Sequence, residues 1–371
     1  IRDVERSRGL GDVYKRQTLI ALDVSENFAR RTHLTAEQKG QLEKAQTILV
    51  SVLALTEKGR ADSTRLQEIV TQRLEKIGYT LVIDRKQPHD VEFKVKCEER
   101  KTWAGTTAQG SDAELTDAPA RLWKGPACLF TYLLGGRSLG WHKEIRTHFE
   151  DAISAAKAAG VKDSGSYALE QLTTHVQNYD FPVLITAEWG QPNRLIKLLN
   201  NPTTSKLRQL KILSTLSSLE ADKALPQLTK LMKQKDLAQE AITALKGVGA
   251  DSIPTLIDLF QNSQQTEIQA AAAKALGDVA GSTGDPTAIP PLLKYLKTSL
   301  KTMKTSQDIK FPVLTEVVWS IGKLRDDNSM EPMAELNEKV WLIYDKSQEM
   351  TNLREATNWT YKQLDLDGHV S

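Results

Sequence analysis

Two cysteines are the residues whose type and position most clearly allow chemistry. Cys97 and Cys128 are the only cysteines of the chain, and each lies in a segment whose apolar residues predict a strand. If the two strands are neighbours in an antiparallel sheet, a disulfide between these residues would close the loop over residues 105–120. The alternative is two unrelated core thiols in a reducing compartment. The chain has no CxxC pair and no Cys/His cluster, so neither a redox-catalytic pair nor a zinc site is predicted.

One group of carboxylates resembles the metal site of restriction-type nucleases. Asp90 is followed by Glu99 and Lys101, in the order of an acidic residue and a Glu-x-Lys pair. That chemistry needs both carboxylates on adjacent strands, where they can reach one magnesium ion. Residues 91–100 alternate without a break, so a single strand of about 30 Å would separate the two acids. The pattern therefore favours two solvated strand ends over a nuclease site.

The remaining candidate motifs fail on spacing. His142 and His148 would lie about 20 Å apart along one strand, too far for a shared metal ion. The glycine-rich stretch at residues 135–140 has no following GK[ST] and predicts a hairpin turn rather than a phosphate loop. No nucleophile elbow is present. The sequence thus predicts no catalytic, cofactor-binding or metal-binding residue.

Aromatic and cationic residues are mixed around the predicted sheet, as in proteins that stack single-stranded nucleic acid. They are Trp103, Trp123 and Trp141, with Lys101, Arg121, Lys124 and Lys143. Acidic residues intervene, and the whole chain carries 49 Lys and Arg against 47 Asp and Glu. Aromatic packing beneath a loop is the favoured interpretation, and nucleic-acid binding stays open as an alternative.

The totals describe an ordinary globular chain of 371 residues, long enough for two domains. No apolar run of about 18 residues occurs, so no transmembrane helix is predicted. Residues 1–17, IRDVERSRGLGDVYKRQ, resemble translated adapter sequence at the ends of assembled environmental reads. We therefore expect residues 1–34 to be an artefact or a disordered arm, with the true N-terminus and any signal peptide lost.

Residues 35–160 predict an α+β domain. A capping box at Thr35 and Gln38 begins a short helix, and a β-branched run at residues 47–56 predicts a buried strand. An amphipathic helix, several further strands and a helix at residues 149–159 follow, which favours a small, mainly antiparallel sheet with helices on one face. The segments LEKIGYTLVID (74–84) and HDVEFKV (89–95) resemble small domains of bacterial envelope lipoproteins and assembly factors. That resemblance implies a periplasmic or envelope location, with the cytoplasm as the alternative.

Residues 161–364 predict an all-α solenoid, with residues 365–371 as a tail. One apolar pattern returns as LIKLL (195–199), LTKLM (228–232), LIDLF (256–260) and LKYL (293–296). Alanine-rich helices lie between these segments, and Leu225-Pro226, Ile253-Pro254 and Ile289-Pro290 mark equivalent helix starts. The period of roughly 28 to 37 residues, with two helices in each unit, is typical of an α-solenoid. The pattern resembles short HEAT-like repeats, and the aromatic-rich C-terminal helices are expected to be a divergent cap.

The resemblance to HEAT repeats implies a non-catalytic scaffold that holds a protein partner. A locally basic stripe is the predicted contact surface, and the alternative is a solvated face: Lys206, Arg208, Lys211, Lys230, Lys233 and Lys235. Some short HEAT-like proteins are similar to the lyases and chaperones that attach bilin chromophores to phycobiliproteins. A modifying enzyme is therefore the alternative function, although both cysteines lie outside the array.

Overall fold

The computed structural model describes residues 34–99, 102–105, 121–139 and 143–364. The chain divides into two compact units, residues 1–198 and residues 199–371. The adapter-like segment, the C-terminal tail, Lys101, Trp141 and His142 lie outside the described residues. No helix within the described ranges is long and apolar enough to span a membrane.

The first unit combines helices with a sheet. Its helices are α1 (Ala36–Lys44), α2 (Thr64–Glu75), α3 (Ala152–Ala158), α4 (Ser164–Asn178) and α5 (Phe181–Glu188), and α6 (Pro192–Asn200) runs to its boundary. Its strands are β1 (Thr47–Thr56), β2 (Gly59–Ala61), β3 (Thr80–Val82), β4 (Val91–Glu98), β5 (Thr102–Gly105), β6 (Arg121–Lys124), β7 (Ala127–Leu134), β8 (Arg137–Ser138) and β9 (Lys143–Arg146). The predicted capping box begins α1, where Thr35 and Gln38 exchange hydrogen bonds between side chain and backbone.

The sheet is mixed and is organised around β4. Strand β4 pairs parallel with β1 and antiparallel with β7. Strands β2 and β3 pair with β1, and β8 and β9 pair with β7, while β5 and β6 form a separate two-stranded sheet. The predicted α+β class and mainly antiparallel pairing are confirmed. The parallel β1–β4 pair was not predicted, and it is allowed because α2 carries the chain back between the two strands.

The polar face of β4 is less exposed than its alternating pattern predicts. Glu92 and Glu98 are only 9% and 8% exposed. Glu92 accepts hydrogen bonds from Ser51 on β1 and from Arg85, and the Glu98 carboxylate is 2.8 Å from the Lys96 ammonium. A central strand has neighbours on both sides, and their side chains cover its outer face as well as its core face.

The core of the first unit extends beyond residue 160. Phe181, at the start of α5, stacks on Phe93 with ring centroids 5.6 Å apart and meets Phe130 edge-on. Arg73 on α2 donates to the last carbonyl groups of α4 and to the Asp180 carboxylate, so it holds α4 against the rest of the unit. Helices α4 and α5 fall within residues 161–364, which the sequence assigns to the solenoid, yet they lie in the same compact unit as the sheet, because they pack on its aromatic core.

The second unit is helical. Its helices are α7 (Lys206–Leu216), α8 (Leu225–Leu231), α9 (Ala238–Ala244), α10 (Ile253–Asn262), α11 (Thr266–Thr283), α12 (Ile289–Thr302), α13 (Phe311–Leu324), α14 (Met330–Leu342) and α15 (Gln348–Leu364). Proline occupies the first turn of α8, α10 and α12, as the three Leu/Ile-Pro pairs predict. The fixed φ of proline suits a helix start, and its missing N–H removes no helical hydrogen bond there.

These helices form two rows. Helices α7, α9, α11, α13 and α15 contact one another in sequence and make the first row. Helices α8, α10, α12 and α14 make the second row, and each packs on the helix that follows it in the chain. Each pair of helices thus contacts mainly the pairs before and after it, which is the organisation of a solenoid.

A candidate protein-binding groove on the helical array

The two cysteines face each other across the first unit's sheet. Cys97 on β4 and Cys128 on β7 are register partners. Their sulfur atoms are 1.98 Å apart, as a disulfide, and both residues are fully buried. A buried disulfide offers neither a thiolate nucleophile nor a soft metal ligand, so the pair has a structural role in this form.

The two acids of the nuclease-like motif lie at opposite ends of β4 and make different hydrogen bonds. Asp90 lies just before β4, and its carboxylate accepts hydrogen bonds from the backbone N–H groups of Gln46 and Thr47. Burial opposes ionisation, but these hydrogen bonds outweigh it and hold the pKa of Asp90 below its usual value. Glu99 lies just beyond the other end of β4 and accepts from the Ser164 hydroxyl at 2.7 Å. Each acid fixes local backbone or a helix start, and the structure does not bring them together.

The other candidate motifs of the first unit have structural explanations. Gly135 and Gly136 adopt positive φ angles of 56° and 80° in the turn between β7 and β8, so the predicted hairpin turn is confirmed. The ring centroids of His148 and His175 are 6.4 Å apart. Among the described residues no group of three or more His, Cys, Asp or Glu could hold a metal ion.

The basic stripe is spread over three segments at the beginning of the second unit. Lys206, Arg208 and Lys211 lie on α7, Lys230 lies on α8, and Lys233 and Lys235 lie in the connection to α9. The Lys206 ammonium is 2.9 Å from the Asp236 carboxylate, which places the start of α7 beside that connection. Lys230, Lys233 and Lys235 are exposed. A partner-binding role for the stripe stays a prediction.

A groove that the sequence did not reveal runs across the first row of helices. It has a volume of about 520 Å³ and is lined by residues of α9, α11, α13 and α15. Ala270 and Ala271 on α11 and Phe311 and Pro312 on α13 give it an apolar floor. Small alanine side chains leave space close to the helix backbone at this point.

Carboxylates dominate the charge of the groove. Glu240, Glu267, Glu316 and Glu349 line it, one from each of the four helices, and Lys274 is the cationic residue among the lining side chains. Glu240, Glu267 and Glu349 lie in the first turns of their helices, where a carboxylate also interacts favourably with the helix dipole. Glu316 lies in the second turn of α13, where the helix dipole does not explain it.

Glu316 is half-buried, and this raises the pKa of its carboxyl group. Burial is the main cause, and the Asp278 carboxylate adds to it, while Lys274 and Lys323 oppose the shift. The Lys323 ammonium is 2.6 Å from Asp278, so part of its charge is already compensated. A cation from outside the chain would stabilise the ionised form of Glu316.

We expect Glu316→Gln to stabilise the array slightly at neutral pH. Since the folded-state pKa is raised, the wild type loses stability as the pH rises from the ordinary glutamate range through the shifted pKa, and a neutral amide avoids this loss. The gain should reach up to about 0.5 kcal/mol at pH 7 and disappear below about pH 4. Urea unfolding at the two pH values measures it.

Glu349→Gln is the matched control for this substitution, because Glu349 lies in the same groove but is exposed. A comparable gain in both variants would show that general charge repulsion, rather than the burial of Glu316, causes the effect.

An aromatic pair lies on α13 and α15, two of the four helices that line the groove. The rings of Trp319 on α13 and Trp359 on α15 have centroids 4.8 Å apart. Trp319 is one helical turn beyond Thr315, which lines the groove. Both tryptophans are partly buried, so the pair is a packing contact between α13 and α15.

One comparison with known proteins agrees with this architecture. Residues 225–306 match the sequence model of a family described as HEAT repeats. This match lies within the helical second unit and supports the HEAT-like repeats that the sequence pattern predicts there. A solved structure of an engineered protein matches with 17% identity over 59% of this chain and 98% of its own, at a TM-score of 0.33, which is too low to define a shared fold. A search among curated proteins finds no match.

HEAT repeats are typical of scaffolds that mediate protein interactions, and stacked helix pairs provide extended binding surfaces. Successive helices of one row supply the lining of the groove, so the groove lies on such a surface.

Proposed function

We propose that this protein is a non-catalytic scaffold that binds a segment of a partner protein in the groove across α9, α11, α13 and α15. The observation that carries this proposal is the groove itself, to which four successive helices of the array contribute. Binding by an array needs a surface shared by several repeats, because no single helix pair buries enough of a partner. The groove meets this requirement, and the basic stripe remains a second candidate surface.

The lining of the groove favours binding over catalysis. The described residues of its lining include no cysteine, histidine or serine, and their side-chain hydroxyl groups are those of Thr243 and Thr315. A lyase that forms a thioether would need a free thiol, whereas Cys97 and Cys128 are bonded to each other in the first unit. An acidic groove also disfavours nucleic acid, whose phosphates would be repelled.

The disulfide supports a place in an oxidising compartment. Disulfides persist in the bacterial periplasm and outside the cell, whereas cytoplasmic thiols are kept reduced. Together with the resemblance of the first unit to envelope lipoprotein domains, this supports a role in an envelope assembly. In this proposal the sheet unit docks the protein within the assembly while the array holds the partner.

The test is affinity capture with the full-length protein and two charge-reversal variants, from envelope extract of a bacterium that encodes the chain. The groove variant is Glu267→Lys with Glu316→Lys, and the stripe variant is Lys230→Glu with Lys233→Glu and Lys235→Glu. We expect one partner that the wild type and the stripe variant recover and the groove variant loses. Circular dichroism must show the same helix content in all three proteins.

Two other results would contradict the proposal. Loss with the stripe variant alone would move the binding surface to α7, α8 and the connection that follows α8. Failure of the folded wild type to recover any partner would remove the support for a scaffold.

A further inference from the structure

The charge pattern of the groove indicates the chemistry of its partner. One carboxylate comes from each of four neighbouring helices: Glu240 from α9, Glu267 from α11, Glu316 from α13 and Glu349 from α15. Among the lining residues that the structure describes, Lys274 is the one cation that opposes them. Because the four acids come from different helices, they form a series across the row rather than a compact cluster, and no metal-binding group is found among the described residues.

The spacing of the helices sets the spacing of the charges. Packed neighbouring helices lie about 8–10 Å apart, so the series of carboxylates should repeat at about that distance. An extended polyproline II segment has three residues per turn and rises about 9 Å in each turn. Residues three apart therefore lie on one face of such a segment, at about the same interval as the carboxylates.

The floor of the groove fits the remaining residues of such a segment. Ala270 and Ala271 leave room for a backbone, and Pro312 adds an apolar surface. Half-buried Glu316 is costly as a free charge, because its burial raises the pKa of the carboxyl group, and a cation bound beside it would offset this cost. A negatively charged or purely apolar segment would leave this carboxylate unpaired.

We propose that the groove binds an extended cationic segment of a partner protein, with arginine or lysine at about every third residue and small or apolar residues between. This inference rests on the proposed function, since it names the chemistry of the partner that the scaffold holds. Each cationic side chain of the segment pairs with the carboxylate of one helix, so recognition depends on the register between segment and array. Arginine suits this role because its planar guanidinium forms two parallel hydrogen bonds with a carboxylate.

The test is fluorescence anisotropy of labelled synthetic peptides with the full-length protein. The first peptide has four arginines at every third position with alanine and proline between them. The second has the same composition with the arginines adjacent, the third has glutamate in place of arginine, and the fourth is neutral and apolar. We expect the first peptide to bind most tightly, the second more weakly, and the other two not to bind.

Substitutions locate the binding site. Glu267→Gln with Glu316→Gln should weaken the first peptide at least about tenfold, which corresponds to the loss of roughly one charge-assisted contact. Glu331→Gln with Glu338→Gln changes two exposed acids of α14, in the second row, and should leave the affinity unchanged. This pair of variants alters the net charge equally, so a difference between them reports the groove and not the overall charge.

Several outcomes would overturn the inference. Equal affinities for the first two peptides would exclude the three-residue spacing, and equal weakening by both double variants would show that the attraction is not specific to the groove. Binding of the neutral peptide, abolished by the groove charge reversals, would reject a cationic partner and leave the proposed function standing. Absence of peptide binding rejects the inference, and only a failed capture experiment as well would reject the scaffold.

Discussion

Replacing both Cys97 and Cys128 by alanine is expected to destabilise the sheet unit by about 3–4 kcal/mol. The two residues are 31 apart in sequence, and a cross-link that closes a loop of this length removes roughly that much conformational entropy from the unfolded chain. Both side chains are fully buried, and they are register partners on β4 and β7, which pair over eight residues. The loss of stability should therefore appear as unfolding of this unit at a lower denaturant concentration.

Chemical denaturation with and without reductant measures the effect, and the array is an internal control. Because the two compact units have separate cores, their unfolding can be followed separately, and only the transition of residues 1–198 should move. Adding reductant to the double alanine variant should change nothing further. If oxidised and reduced wild type unfold at the same denaturant concentration, the disulfide does not form in solution.

Gly277→Ala is expected to destabilise the array by about 2 kcal/mol, although alanine favours helices. A Cβ atom at Gly277 on α11 would lie 2.3 Å from the Ser320 hydroxyl and 2.7 Å from the Ser320 Cα on α13. The hydroxyl cannot simply turn away, because it donates a hydrogen bond to the Ala273 carbonyl at 2.8 Å. The added methyl group must therefore push the two helices apart.

Gly281→Ala, one turn further along α11, is the matched control. A Cβ atom there has its nearest neighbour, the Cβ of Lys323, at an ordinary 3.5 Å. We expect this variant to be more stable than the wild type by about 0.5–1 kcal/mol, because alanine replaces glycine within a helix. Urea unfolding of the two variants should thus give changes of opposite sign. Two gains of similar size would show that α11 and α13 are not packed closely at Gly277.

Local chemistry let the sequence predict where several elements begin. Pro226, Pro254 and Pro290 each lie in the first turn of an observed helix, and the capping box at Thr35 begins α1. Proline geometry and side-chain caps act within a few residues, so their consequences can be read without knowing the fold. The same applies to the β-branched run that became β1, which spans the predicted residues 47–56.

Features that depend on contacts between distant segments could not be predicted in this way. Nothing in the local sequence of Gly277 indicates that Ser320 will lie against it. The sequence also did not show that the acids of the groove lie together. Glu240, Glu267 and Glu349 each lie in the first turn of a helix, where the interaction with the helix dipole already explains an acidic residue. The signal that remained was Glu316, an acid among the apolar residues of α13, and its meaning depends on which helices lie beside it.

The chain of contacts along the first row also has a mechanical consequence. Within this row each helix contacts the one before and the one after, so no direct contact between α9 and α15 fixes the distance between them. Small rotations at three successive junctions would add up. The distance between α9 and α15 could then change with little loss of packing at any one junction. The groove spans the same three junctions. If it holds a partner segment, as we propose, pulling on the ends of the array would separate its carboxylates and weaken the binding of that segment.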